Sequence, residues 1–174
     1  RARVAEQCPE CALRLEAYSF RELVERLESG ALDAILSVRT AVPVSSGLDV
    51  TLVGQTRAVL IYAAGHPLHT PGHPTLADFH KDTFLVQPSE ECPYSTDSNQ
   101  SYFLSQMMQP RIEMVPNLDT MLCRIAEGDG YGVFDSISRC LQFDGLAALP
   151  LDSEISLCMA QRTGSWDPVV DAFC

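Results

Sequence analysis

The stretch CPEC, Cys8 to Cys11, sets two thiols around a Pro-Glu pair. Such a pair can act as a dithiol redox centre or supply half of a zinc site. A thioredoxin-type dithiol sits where a strand enters a helix, so that the helix N-terminus lowers the first thiol's pKa. Here the order is reversed: residues 1–7 are patterned as a helix, Ala12–Leu15 as an extended segment, and Pro9 turns one into the other. Near a helix C-terminus the dipole raises a thiol pKa. A zinc ion needs two further ligands at close spacing, and no second CxxC exists. The expectation for both cysteines is packing.

Four histidines, His66, His69, His73 and His80, fall in GHPLHTPGHPTLADFH. Three prolines interrupt the stretch, so no two of them share a helix face as in HExxH, and a solvated loop is expected. EGDGYG carries three glycines but follows a helix, where a dinucleotide-binding fingerprint would open one; a helix stop and tight turn is expected instead. There is no GxSxG elbow, P-loop or HExxH. Asp135 and Cys92 are the acid and nucleophile that can be placed in a cleft, and neither has an evident partner. Neither an enzyme nor a bound cofactor or metal is expected.

The loop PSEECPYSTDSNQSYF joins a buried strand to a helix that opens with Ser95, Thr96 and Ser98. Free backbone N–H groups and hydroxyls at such a place bind carboxylates or phosphates. In open parallel sheets, ligands gather at the carboxyl ends of strands. A helix cap with a surface loop is an equally good reading of the same residues.

The elements around these stretches are more distinct. In SFRELVERLESGALDAILSV, Ser19 is an N-cap and Glu22 completes a capping box. Phe20, Leu23, Val24 and Leu27 repeat at helical spacing, Gly30 ends the helix, and Leu32–Val38 reads as a strand buried on both faces. The device recurs in NLDTMLCRIAEGDGYGVFDSI: Asn117 caps, Gly128 stops, and Tyr131–Ile137 is a buried strand. Asp49–Val53 and Ala58–Ala63 are two strand-like runs, TLADF is a capped turn, and DTFLVQP is a strand ended by Pro88. A helix runs through Tyr102, Phe103 and Met107; GLAALPLD is expected as a loop, EISLCMAQRT as a final strand, and SWDPVVDAFC as the start of a helix. Two helix-glycine-strand units about a hundred residues apart predict α/β architecture with two lobes.

The 174 residues suffice for a substantial core, and no stretch approaches the length of a membrane span. The net charge is −11 and Lys81 is the single lysine, a balance that repels nucleic acid and acidic membranes. Seven scattered cysteines argue for a reducing cytoplasm over a disulfide framework, with Cys11, Cys123, Cys140 and Cys158 packing as small hydrophobes.

Taken together, these residues resemble the effector-binding domain of LysR-type transcriptional regulators. CPECALRLE stands where that family has an aromatic-Pro-acidic-Val turn into a strand, with Cys8 for the aromatic and Cys11 for the valine. LVERLESGALDAIL, GHPLHTPGHPTLADF and IAEGDGYGVF match the family's further motifs in order and spacing. The resemblance implies a two-lobe, type 2 periplasmic-binding-protein-like α/β domain with two crossover strands. Lobe I would be residues 1–55 and 140–174, and lobe II residues 56–139.

It also implies an effector in the cleft, contacted by Ser37, Arg39, Thr51, Ser89, Pro93, Tyr94 and Ser95, and by Phe134 and Asp135. The expected effector is a carboxylate or an aromatic compound. The partners implied are a second copy in a dimer or tetramer, and promoter DNA through a winged helix-turn-helix domain. That DNA-binding domain and the family's first strand have no counterpart here, so the expectation is an isolated sensor domain that does not bind an operator alone. Two rivals share the scaffold. A transporter's solute-binding protein is opposed by the odd cysteine count and the lack of a signal peptide, and an enzyme by the lack of a catalytic constellation.

Overall fold

The computed structural model describes residues 14–44, 47–67, 74–91 and 95–164. The CPEC stretch, His69, His73, Cys92, Pro93, Tyr94 and the helix expected after Ser165 lie outside the described residues.

Helix α1 (Phe20–Glu28) opens on the expected capping box: Ser19 Oγ accepts from Glu22 N–H at 3.3 Å, and the Glu22 carboxylate accepts from Ser19 N–H at 3.2 Å. Its apolar stripe ends on Leu27, which is wholly buried. Gly30 takes a φ of +80° at the exit, a region open to glycine at little cost. Arg162 then donates to the Leu27 and Leu32 carbonyls at 2.6 and 2.9 Å, tying the end of β6 to the exit of the helix.

Strand β1 (Ala34–Val38) follows, and it corrects the expectation of burial on both faces. Ile35 and Ser37 are buried, whereas Leu36 is 61% exposed. One face lies beneath α1; an apolar run alone does not distinguish this from a strand covered twice.

The central strands also differ from expectation. The two runs predicted at Asp49–Val53 and Ala58–Ala63 are one strand, β2 (Leu48–Ala63). The segment GLAALPLD, expected as a loop, belongs largely to β6 (Leu146–Arg162), which takes in the expected final strand. These two strands pair antiparallel from Leu48↔Arg162 to Ala63↔Leu146, with irregularities at Leu52/Gly54 and Arg57/Val59. Each supplies the other's backbone partners, which outweighs the poor strand propensity of Gly54 and Pro150.

The main sheet has the order β1-β6-β2-β5, with β5 spanning Gly132–Asp135 and every neighbour antiparallel. A second, parallel pair joins β3 (Thr83–Val86) to β4 (Arg111–Met114), a strand the sequence did not announce. Helices α2 (Ser95–Ser105) and α3 (Leu118–Glu127) and the 3-10 turns Arg39–Ala41, Leu76–Phe79 and Arg139–Gln142 complete the described elements. Asn117 caps α3 by accepting from Thr120 N–H at 2.9 Å, and Gly128 closes it at φ +88°.

The apolar clusters divide between the ends of β2 and β6. Leu27, Ile35, Val42, Cys158 and Ala160 form one. At the other end, Ala58, Leu60, Phe79, Phe84, Phe103 and Tyr131 pack on one side of the sheet. Val59, Ile61, Leu85, Met121 and Ile125 pack on the other. The residues between, Leu52 to Gln55, are exposed. Two separately packed lobes therefore share a pair of long crossover strands.

Candidate functional site

A cavity of about 300 Å³ opens beside these crossovers. Strands β1, β3 and β5 deliver Arg39, Gln87 and Asp135 to it at or just beyond their carboxyl ends. The N-terminal residues of three helices reach it as well: Phe20 from α1, Ser95 from α2 and Leu118 from α3. Strand β6 contributes Glu154, Ile155 and Ser156 from its middle. Strand ends and helix starts meet here: β3 leads to α2 and β4 to α3, while β1 and β5 run into 3-10 turns before the crossover strands.

The walls are mixed. Phe20, Phe84, Val133, Phe134 and Met121 offer apolar surface, while Ser95, Thr96, Ser98 and Asn99 on the first turn of α2 offer hydroxyls and an amide. Arg39 is the one cationic side chain among the described lining residues, and its Nη1 donates to the Val42 carbonyl at 2.7 Å. That bond spans the 3-10 turn Arg39–Ala41, which Val42 N–H closes by donating to the Arg39 carbonyl at 3.3 Å, and it holds the guanidinium in place. Asp135 Oδ1 accepts from Ile137 N–H at 3.1 Å, fixing the carboxylate at the end of β5. The first turn of α1 is already satisfied by its capping box and covered by Phe20, which leaves α2 as the helix start with polar side chains facing the cavity.

Of the residues expected to contact a ligand, Arg39, Ser95, Phe134 and Asp135 come together around this cavity. Ser37, Thr51 and Ser89 do not line it. Ser37 is buried opposite Cys158, Thr51 is exposed opposite Met159, and Ser89 is exposed in the turn after β3. Sequence reasoning passed over Phe20, Met121, Cys140, Glu154 and Ser156. Glu154 and Ser156 carried a weak signal, since both interrupt the apolar run of a strand at alternate positions.

The remaining chemistry-bearing side chains have structural roles. His66 lies 3.6 Å from Asp82 and packs against Tyr62 and Phe79. His80 Nδ1 lies 3.0 Å from the Ala77 carbonyl. Among the described residues no group of three His, Cys, Asp or Glu could hold a metal. Cys140 and Cys158 are buried while Cys123 is exposed, unlike the packed position expected for it. Burial pushes the Cys158 thiol pKa up, which suits a packing residue and opposes a nucleophile.

The model of the LysR substrate binding domain matches residues 2–174. The chain belongs to that family. Solved LysR structures share the fold. CbnR, a LysR family transcriptional regulator, aligns with a TM-score of 0.75 and 17% identity over 98% of this chain and 60% of its own. The BenM effector binding domain with its effector benzoate aligns at 0.71 and 20% identity, over 97% of this chain and 78% of that one. The CcmR regulatory domain of Synechocystis in complex with 2-PG aligns at 0.67 and 15% identity, over 99% and 84%. At such identities the likeness is one of fold, and the chain spans 60% of the length of CbnR. By sequence, no individual protein of curated function matches. The LysR domain here is thus a two-lobe, periplasmic-binding-protein-like α/β unit, and among its described residues no helix is long and apolar enough to cross a membrane.

Proposed function

We propose that this LysR domain is the effector-sensing part of a bacterial transcriptional regulator working in the cytoplasm. The observation that carries the reading is the cavity, walled by residues of both lobe ends and lying against the crossover strands that join them. A molecule bound there touches both lobes, so its affinity depends on how they are set, and binding favours one setting. Lobe I would comprise residues 1–55 and 140–174 and lobe II residues 56–139, with the change of setting pivoting on the crossovers. In the whole protein that shift would pass through a dimer or tetramer to a separate helix-turn-helix domain that holds promoter DNA. The site binds its effector without turnover. Ser37, Thr51, Ser89, Pro93 and Tyr94 would join the contacts in a setting where the lobes close further.

The test is to titrate a panel of small carboxylates and aromatics, benzoate and shikimate included, into the 15N-labelled domain. Shifts confined to the residues around Arg39, Ser95 and Phe134 support the reading, and Arg39→Ala should then weaken binding about tenfold or more while the domain still folds. Unchanged affinity in both Arg39→Ala and Ser95→Ala would remove the proposed site.

A further inference from the structure

We infer that the ion pair between Arg21 and Glu91 is a latch that holds the two lobes against each other beside the cavity. The inference rests on the reading of the cavity as an effector site between lobes whose setting changes, and names what governs that change.

The pair joins elements that pack in different cores. Arg21 lies on α1, whose Leu27 belongs to the cluster with Ile35 and Cys158. Glu91 follows β3, whose Phe84 and Val86 belong to the cluster around Tyr131. Arg21 Nε lies 3.5 Å from Glu91 Oε1. Every other ion pair found among the described residues stays within one lobe. Both partners adjoin the cavity, since Phe20, next to Arg21, and Ser95, four positions beyond Glu91, line it. The lobes also meet where α2 packs on the 3-10 turn Arg39–Ala41, which gives the latch a defined seat to hold.

Neither residue is explained by its own element. Arg21 is the second residue of α1, where the helix dipole disfavours a cation. Its contact with Glu25, 3.9 Å away on the next turn, places the cation on the N-terminal side, the weaker order for such a pair. The Glu91 side chain is only 18% exposed, and Arg21 is its one side-chain partner among the described residues. Glu91 N–H donates to the Pro88 carbonyl at 3.0 Å, so a tight turn beyond β3 fixes the backbone that carries the carboxylate. A carboxylate so shielded needs a partner, and its partner stands on the other lobe. When the lobes part, Arg21 keeps Glu25 and Glu91 regains water. The latch therefore biases the lobes by about two- to fivefold, as half-exposed pairs do, and does not lock them.

The experiment reads the relative orientation of the lobes from residual dipolar couplings of the 15N-labelled domain, at low salt and without ligand. Amides of α1 and β1 report one lobe, and those of β3, α3 and β5 the other. In the parent a single alignment tensor should fit both sets. Arg21→Glu sets a further acid beside Glu25 and Glu91, and should shift the lobes at least about two- to fivefold toward the parted setting. The two sets then need different tensors. An acid suits the start of a helix, so α1 itself should hold. Glu91→Arg should act in the same direction, and combining it with Arg21→Glu should restore the single tensor. Raising the salt to about 1 M should move the parent as the single variants do. One tensor for every form overturns the latch. So does a parent that already needs two, or a double variant that stays parted. No ligand is present, so these outcomes leave the effector reading to be decided by titration of the cavity.

Discussion

The Thr56 hydroxyl lies 2.8 Å from that of Ser136, across a sequence separation of 80 residues. Thr56 is buried in crossover strand β2, and Ser136 follows Asp135 at the edge of the cavity. Ser136 N–H also donates to the Arg57 carbonyl at 2.8 Å. Thr56→Val and Ser136→Ala should each cost about 1 kcal/mol, the usual worth of such a bond. Urea unfolding of both variants and their double checks this. The double variant should cost clearly less than the sum, because the bond is lost only once.

Two glycines at the start of β5 differ in what surrounds them. A Cβ on Gly130 would fall 2.2 Å from the Thr83 carbonyl oxygen, which is backbone and cannot give way. On Gly132 it would meet the ends of the Met121 and Phe134 side chains at 2.5 and 2.7 Å, and both of these line the cavity. Gly130→Ala should therefore lower stability more than Gly132→Ala, the latter by the roughly 1–3 kcal/mol of an overpacked core. Gly132→Ala should also alter ligand binding. Thermal melts with ligand titration test both statements, and equal melts would contradict the first.

Tyr131 is fully buried among Phe79, Phe84 and Phe103, and its hydroxyl has no hydrogen-bond partner among the described residues. Tyr131→Phe should raise stability by about 1 kcal/mol, since it removes a polar group that lost water and gained nothing. Burial, helped by the charge of Asp82, holds the phenol pKa well above its ordinary value. The folded pKa exceeds the unfolded one, so Tyr131 destabilises the fold once pH rises past the unfolded value near about 10. The Phe variant should lose less stability there than the parent; an identical alkaline decline would count against it.

Three carboxylates are held below the usual range: Glu22 by the Ser19 backbone N–H, Asp78 by the Thr75 backbone N–H, and Glu113 by a hydrogen bond from Arg124. A folded pKa below the unfolded one means stability that is present above about pH 4 and is lost as pH falls through the folded value. Acid unfolding of Glu22→Gln, Asp78→Asn and Glu113→Gln should show a shallower loss below pH 4 than the parent in each case. Glu22 and Asp78 are exposed and Glu113 is half-buried, and added salt should shrink the effect most at Glu113, where the partner is an ion.

Local instructions were plain in the chain. Ser19 with Glu22, Asn117, Gly30 and Gly128 mark helix ends because capping uses side chains within three or four residues of the backbone they serve. The family motifs rest on the same short-range patterns, so fold class and family were legible. So were Arg39, Ser95, Phe134 and Asp135, each at or near an element end.

What the chain did not announce depends on residues a hundred positions apart. Gly54 to Arg57 become strand because they find backbone partners in Glu154 to Leu157, and Leu146 to Pro150 because they find theirs in Val59 to Ala63. The exposure of Leu36 depends on which layers cover β1, and β4 exists because β3 lies beside it. Glu154 and Phe20 enter the cavity for the same reason: the crossover strands and the seat of α1 carry them there. Sequence determined the helix ends and the class of fold, through contacts a few residues long. Tertiary structure alone decided the strand lengths, the faces left open and the charge of the cavity, because those depend on which distant backbones pair.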